Sequence, residues 1–325
     1  MKKLLISMLA VATLASCAKE ETLSFDKGEA IQFGSFVENS TRAADPSYSA
    51  NDIDSFKVYG TVNGVNIYNG NVVSRPSAVA GEGYGDVWTC TGTQQYWIAG
   101  AQYKFVGIVD GDKENVTETT VVNGMPTAIN YTADGETDLL CQTIDRTAKT
   151  DGTDNAIVAF NFTHLLSKVN FTVENGAQGA TGYSFVVKNI TFNGATEATY
   201  DVVNAKWINP ANGDTVIGNE RTVNSLPVKD IVVDTGAASA ELGTEVLFIP
   251  GTYTISFTVD ILYNGEPVTT KNYPVSGKTY SHTLEAANSY NFKVNVSVGD
   301  PIEFTVTQKP GWTDGDGAGD TTLTL

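Results

Sequence analysis

The residue of this sequence with the clearest chemical use is Cys17, whose thiol can carry a covalently attached lipid. It follows the small residues Ala15 and Ser16, an apolar run from Leu4 to Leu14 and a basic start at Met1-Lys2-Lys3. These three features are typical of a secretion signal with its cleavage site. The apolar run is too short for a membrane-spanning helix, which needs about 20 residues. We therefore predict a signal peptide over residues 1–16.

Leu14-Ala15-Ser16-Cys17 resembles a bacterial lipobox, in which the cysteine receives a diacylglyceryl group and becomes the mature N-terminus. Each buried methylene contributes roughly 0.8 kcal/mol, so two or three acyl chains, such as palmitate, would hold the protein firmly on a membrane. Ala18-Lys19-Glu20-Glu21 is similar to the surface-export signal of Bacteroidetes lipoproteins, although it could also be a solvated linker. The alternative for Cys17 is an ordinary signal peptide with an incidental cysteine.

Other residue patterns that could support chemistry are sparse. His164 and His282 are the only histidines, and neither accompanies a nucleophile motif, so we predict no catalytic residues and no enzyme. Asp314, Asp316 and Asp320 lie in a glycine-rich stretch but lack the later glutamate of a calcium loop, which favours a solvated loop. We predict no metal and no cofactor.

Two further residue types have an open interpretation. Four tryptophans could line a glycan groove, but scattered tryptophans are more often core or edge residues: Trp88, Trp97, Trp207 and Trp312. Cys90 and Cys141 could pair in an oxidising compartment, yet nothing in their spacing requires it. We predict that both are unpaired and at least half-buried.

The charge of the chain excludes one class of partner. The formal net charge is -17 at pH 7, and loss of Lys2 and Lys3 with the signal peptide changes it to -19. An acidic surface repels phosphate backbones, and no basic cluster is visible. We therefore expect no nucleic-acid partner.

The apolar residues alternate with polar ones along many short runs. Tyr253–Tyr263 and Tyr290–Val298 are the longest of these, and the same period of two recurs at Val169–Val173, Val158–Phe162 and Tyr103–Phe105. Turn signals lie between such runs, at Asn63-Gly64, Asp110-Gly111, Asp151-Gly152, Asn193-Gly194 and Asn264-Gly265. No amphipathic helical stripe follows Cys17. The pattern predicts an all-β protein of antiparallel β-sandwiches.

A length of 325 residues suits two domains of ordinary size. No linker rich in Gly, Pro or Ser marks the boundary, which we place near Leu166. The predicted domains are residues 43–166 and 167–325, in tandem.

Five segments together resemble the fimbrillin family, the Bacteroidetes lipoproteins that form type V pili. The segments follow one another in the same order as in that family. They are IQFGSFVENSTRA (31–43), IDSFKVYGTVNGVNIYNGNVV (53–73), YWIAGAQYKFVGI (96–108), VAFNFTHLLSKVNFTV (158–173) and LFIPGTYTISFTVDI (247–261). The resemblance implies a lipidated precursor with two transthyretin-like antiparallel β-sandwich domains. It also implies that an extracellular trypsin-like protease removes an N-terminal strand and that a partner's strand fills the opened groove.

Arg42 is the residue that fits this processing step. It lies in the polar, small-residue stretch Ser40–Pro46, directly after the strand-like Ile31–Val37, and it is the only arginine before Arg75. In the context of the resemblance we predict cleavage between Arg42 and Ala43, so that residues 17–42 are a propeptide. The alternative is that Arg42 is a solvated surface charge.

The C-terminus offers a candidate donor strand. Leu323 and Leu325 occupy alternate positions of Thr321–Leu325, after the flexible, glycine-rich stretch that contains Asp314–Asp320. A donor strand fills unpaired backbone groups and an apolar slot together. Because the tail is short for a donor, Ile302–Thr307 could have to move with it. The tail could instead be the ordinary last strand of its own sheet.

The function predicted from these features is a shaft or tip subunit of a type V pilus, at the outer-membrane surface and in the fimbrium, with a role in adhesion. The expected partners are other pilin subunits, which could be copies of itself or tip and anchor proteins. Further partners are the outer membrane, through the lipid, and the processing protease. The alternative is a surface lipoprotein that binds glycans or host proteins without polymerising.

Overall fold

A computed structural model describes residues 28–37, 53–75, 88–111, 113–150, 157–176, 181–217, 221–223, 226–228, 231–234, 237–242, 245–298, 303–310, 312 and 320–324. These ranges form 23 strands and contain no helix, and hence no helix that could span a membrane. The all-β prediction is confirmed.

In chain order the strands are β1 (Phe33–Val37), β2 (Ser55–Val62), β3 (Val65–Ser74), β4 (Thr89–Cys90), β5 (Gln102–Val109), β6 (Val116–Val122), β7 (Met125–Thr132), β8 (Leu140–Thr147), β9 (Val158–His164), β10 (Ser167–Asn175), β11 (Tyr183–Asp201), β12 (Lys206–Ile217), β13 (Arg221–Val223), β14 (Leu226–Val228), β15 (Ile231–Val233), β16 (Ser239–Glu241), β17 (Val246–Phe248), β18 (Gly251–Tyr263), β19 (Glu266–Tyr273), β20 (Ser281–Leu284), β21 (Asn288–Val296), β22 (Glu303–Pro310) and β23 (Asp320–Thr324).

The first sheet has seven strands in the order β1-β9-β8-β5-β2-β3-β4. Its pairs are antiparallel except β1 with β9, which is parallel. The buried face carries one aromatic-rich core, to which all strands from β1 to β9 in this sheet contribute. Phe33 at one edge of the sheet contacts Tyr68 of β3 near the other, so the sheet curls around its own core.

Among the other described strands, β13 and β14 pair with each other, and two further sheets have six and eight strands. One contains β16-β10-β21-β22-β23 with β17 on β10, and the other contains β19-β18-β11-β7-β6 with β12, β15 and β20 alongside. A second core lies among their buried faces. The β6–β7 hairpin precedes Leu166 in the chain, yet β7 pairs with β11, which follows it. The division of the chain at Leu166 stays a prediction.

The period-2 runs correspond to real strands. The alternation at Tyr253–Tyr263 lies in β18, where residues are buried and exposed in turn, and the run that begins at Tyr290 lies in β21. The Asn63-Gly64 and Asn264-Gly265 turns have the positive φ angles that tight hairpins require (48° and 79°, 50° and 83°).

The predicted turn at Asn193-Gly194 is wrong, because both residues lie inside β11. Gly194 serves close packing there: a Cβ at this position would lie 2.3 Å from Cδ1 of Tyr253 on the neighbouring β18. A glycine within a strand often marks such a close approach.

Candidate functional site

Residues 28–37, which we call the seam segment, join the two edges of the seven-stranded sheet. Their second half is β1, which pairs with β9 at one edge. Their first half pairs with residues 95–97, which follow β4 at the other edge. The segment therefore closes the curled sheet along one line.

On the β4 side, the backbone contacts are antiparallel. The N–H of Ile31 donates to the carbonyl of Gln95, and the N–H of Trp97 donates to the carbonyl of Glu29, each with 2.9 Å between N and O. The Gln94 side chain also donates to the Ile31 carbonyl at 3.0 Å. These bonds hold the first half of the seam segment as a strand that runs antiparallel to residues 95–97.

On the β9 side, five residues of β1 are in parallel register with β9, from Phe33 opposite Val158 to Val37 opposite Phe162. The N–H of Val158 also donates to the carbonyl of Gln32 at 2.8 Å. Backbone hydrogen bonds on both sides make the segment an integral strand rather than a loop lying on the surface.

The apolar side chains of the segment enter the aromatic core. Ile31 is 3% exposed and Phe33 is 5% exposed. Full burial of one such side chain contributes roughly 1.5 to 3 kcal/mol. Loss of the segment would therefore leave unpaired backbone groups and an apolar slot, both of which are costly to expose.

The pocket that holds the Phe33 ring is formed by three other rings. Tyr68 lies edge-on with ring centroids 5.2 Å apart, Phe105 lies edge-on at 5.9 Å, and Phe160 is stacked at 6.4 Å. We call this the Phe33 pocket. Its walls come from β3, β5 and β9, so the pocket spans the sheet that the segment closes.

Position 28 requires a glycine, because the backbone of Trp97 lies very close to it. A Cβ at residue 28 would lie 2.2 Å from the carbonyl oxygen of Trp97, a backbone atom that cannot move aside cheaply. At Gly34, by contrast, a Cβ would lie 3.5 Å from Cγ2 of Ile157, which is ordinary contact. The start of the seam segment is therefore tightly fitted against residues 95–97.

The C-terminal strand β23 lies at the edge of its own sheet. It pairs antiparallel with β22, with Leu323 opposite Phe304 and Thr322 opposite Thr305, and it has no second strand neighbour among the described residues. In contrast, β22 lies between β21 and β23, and Phe304 and Val306 are buried in the core. Departure of β23 would break one strand pairing, whereas departure of β22 would break two and remove Phe304 and Val306 from the core.

A buried polar cluster lies next to the start of this tail. The His164 ring is stacked on Trp312 with centroids 3.7 Å apart, and its Nδ1 lies 2.6 Å from Oδ2 of Asp138, which is fully buried. Lys168 places its Nζ 5.5 Å from the Trp312 ring and 3.0 Å from Glu245. His164 is thus a buried packing residue with a polar partner. No local pattern in the sequence points to this partner, Asp138, which lies 26 residues earlier.

The four tryptophans lie in or beside the cores, in line with the interpretation that the sequence favours over a glycan groove. Trp97 and Trp312 are buried, Trp88 packs on Phe56, and Trp207 packs between Tyr131 and Tyr200. Each belongs to or borders a core.

Cys90 and Cys141 are both free, in line with the expectation from the sequence. Cys141 is buried and Cys90 is half-buried. Burial raises the pKa of the Cys90 thiol to about 11 and that of Cys141 to about 12, so both remain protonated near neutral pH.

Several predicted site residues lie outside the described residues, namely Cys17, Arg42, Ala43 and Leu325. The acidic stretch before β23 lies largely outside them too. Leu323 is placed by its backbone in β23. Across the described residues, no group of three His, Cys, Asp or Glu side chains could hold a metal ion.

Several solved structures share this fold. A fimbrial protein of Bacteroides vulgatus is 16% identical, with 88% of this chain and 100% of that one covered and a TM-score of 0.61. A Bacteroides ovatus protein provisionally assigned to cell adhesion is 13% identical, with 89% and 99% covered and a TM-score of 0.51. A Bacteroides thetaiotaomicron protein provisionally assigned to polysaccharide binding is 13% identical, with 91% and 98% covered and a TM-score of 0.50. No curated protein shows significant similarity to the chain.

One family model matches the sequence. It is described as fimbrillin-like, and it covers residues 41–310, from just before the predicted cleavage position to the end of β22.

Proposed function

The chain belongs to the fimbrillin-like family, and on that premise we propose that it is a structural pilus subunit assembled by strand exchange. In this proposal the seam segment occupies its slot in the precursor. Cleavage between Arg42 and Ala43 releases the segment, and a strand from another subunit takes its place. The subunit acts in the fimbrium at the cell surface, in the shaft or at the tip, and mediates adhesion.

The observation that carries this proposal is the double-sided pairing of the seam segment. It is the first described part of the chain, it forms backbone hydrogen bonds on both sides, and it inserts Ile31 and Phe33 into a core. One cut between residues 37 and 53 would separate it from the rest of the protein. The vacated slot then offers two rows of backbone groups and an apolar pocket, which is what strand addition requires.

The proposed donor is β23 with the residue after it. Leu323 and Leu325 are two residues apart, as Ile31 and Phe33 are. Side chains two apart lie on the same face of a strand, so both pairs would face one apolar surface. As an edge strand with a single described neighbour, β23 could exchange without loss of Phe304 or Val306 from the core.

We further propose that the precursor reaches the outer membrane as a lipoprotein through Cys17. Because the thioether bond needs the thiol, Cys17→Ala should abolish labelling of the protein with radioactive palmitate in cells, while the wild type is labelled. A Ser16→Ala variant keeps the thiol and serves as the control. Labelling that persists in Cys17→Ala would contradict the lipobox assignment.

Processing and assembly are tested with purified precursor. Trypsin should convert it to a folded product that begins at Ala43, and this product should form polymers on size-exclusion chromatography, whereas uncut precursor stays monomeric. Arg42→Ala should prevent both changes, and Arg75→Ala serves as the control. N-terminal sequencing that locates the main cut elsewhere would contradict the role of Arg42.

Cut protein that remains monomeric has two distinguishable causes. If it accepts an added peptide of the seam sequence, the slot is functional and the subunit belongs at the tip or as an anchor. If it accepts none, the alternative of a non-polymerising surface lipoprotein that binds glycans or host proteins is favoured.

A further inference from the structure

From the shape of the Phe33 pocket, we infer that the slot binds most tightly a strand that presents an aromatic side chain at the position of Phe33. This inference rests on the proposed strand exchange. It names the chemistry of the partner: an extended segment with a branched aliphatic residue and, two residues later, an aromatic one. A strand with that pattern, carried by another subunit, binds the slot more tightly than the tail of a second copy of this chain, which also enters it.

The geometry of the pocket matches an aromatic ring. The planes of Tyr68 and Phe105 lie at 74° and 85° to the Phe33 ring, which is edge-to-face packing, and Phe160 lies at 24°. Edge-to-face pairs stabilise binding beyond the effect of the buried area. An aliphatic side chain gives up both of these contacts.

The walls of the Phe33 pocket cannot close around a smaller side chain. The Phe105 and Tyr68 rings rest directly on Gly60, where a Cβ would lie 2.9 Å from each. Phe160 rests in the same way on Gly107, at 2.8 Å. These rings also lie beside further rings, because Phe105 is stacked on Tyr103 at 5.8 Å and Phe160 on Phe162 at 5.4 Å.

Movement of the walls toward a leucine would break those contacts and open gaps behind the rings. Protein interiors relax only partly when volume is lost, and residual cavities are destabilising. The pocket therefore discriminates in favour of a ring at this position.

Neither candidate donor segment of this chain can place an aromatic ring in the Phe33 pocket. The tail presents Leu323 and Leu325, with no ring. Ile302-Glu303-Phe304 has the same spacing as Ile31-Gln32-Phe33, but Phe304 is fully buried among Phe257, Tyr280 and Phe292. β22 is also held between two strands. The best-fitting segment of this chain is thus committed to its own core.

The test measures displacement of a fluorescent seam peptide, GEAIQFGSFV (residues 28–37), from protein cut after Arg42 and freed of its own segment. If trypsin cuts elsewhere, a specific protease site inserted after Arg42 replaces it. Unlabelled competitors are the seam peptide, its Phe33→Leu and Phe33→Ala variants, the tail peptide DTTLTL, and that tail with Leu325→Phe, which places a ring two residues after Leu323. Gln32→Ser is the control, since Gln32 is exposed.

We expect Phe33→Leu to bind roughly tenfold more weakly than the seam peptide, and Phe33→Ala at least tenfold more weakly again. Leu325→Phe should strengthen the tail peptide by roughly tenfold, and Gln32→Ser should change binding less than about twofold. Equal or tighter binding of the leucine peptides would overturn the aromatic preference while strand exchange stands. If not even the seam peptide rebinds, the strand-exchange proposal fails with it.

Discussion

A precursor with Gly34→Cys and Ala159→Cys is expected to remain monomeric after cleavage at Arg42 when it is oxidised, and to polymerise like the wild type when it is reduced. The two residues are opposite each other in the β1–β9 register. A disulfide between them would keep the cut seam segment in its slot, so no incoming strand could enter. We expect the polymer fraction to fall at least about tenfold, because every slot stays filled by a covalently held strand.

The site of this disulfide is suitable. Neighbouring strands lie about 4.8 Å apart, within the Cα separation that disulfides span. Ala159 is exposed, and a Cβ at Gly34 meets only Ile157 at 3.5 Å. Cys90 and Cys141 should not interfere, because their raised pKa values, about 11 and 12, leave little thiolate for exchange. Cys17 is replaced by serine in this background.

A second disulfide placed elsewhere is the control. Thr258 and Asn272 are opposite each other in the β18–β19 pair, at the far edge of another sheet. Cysteines at these two positions should leave assembly unchanged in both redox states. Polymers from the oxidised seam variant would show that the slot is not where subunits join.

The strands of this protein could be predicted from the sequence far better than their partners. The strand-like run at Ile31–Val37 corresponds to β1, because alternation shows which residues face a core. Its parallel pairing with β9, more than 120 residues away in the chain, could not be predicted. The period of two determines which side chains share a face, but nothing local determines which strand lies alongside.

The Phe33 pocket illustrates the same limit. Phe33, Tyr68, Phe105 and Phe160 each fit a strand pattern on their own, and only the curl of the sheet brings their rings together. The glycines that make room for the rings carried no readable signal either. Gly60 and Gly107 lie inside strands, where glycine is normally unfavourable, and their role becomes clear only from the rings packed on them.

The second large effect is expected at the tail. Thr305 and Thr322 are opposite each other in the β22–β23 pair, and antiparallel partners lie about 4.5 to 5.5 Å apart, which a disulfide can span. The oxidised Thr305→Cys/Thr322→Cys protein, cut at Arg42, should have an open slot but no free donor. It should stay monomeric, and reduction should restore polymers.

Deletion of Thr321–Leu325 should also keep the cut protein monomeric, in both redox states. If this deletion variant does not fold, the tail belongs to its own domain instead.

The two locked proteins together give the sharpest form of this test. The seam-locked protein can donate but not accept a strand, and the tail-locked protein can accept but not donate. Mixed in equal amounts, oxidised and cut, they should form one-to-one dimers and nothing longer, as measured by analytical ultracentrifugation. Longer species would mean that another surface joins the subunits. Leu325→Phe in the seam-locked protein should tighten the dimer by roughly tenfold, because the ring then enters the Phe33 pocket of its partner. A dimer that forms with leucine but gains nothing from phenylalanine would retain strand exchange between copies of this chain and reject the aromatic preference of the slot.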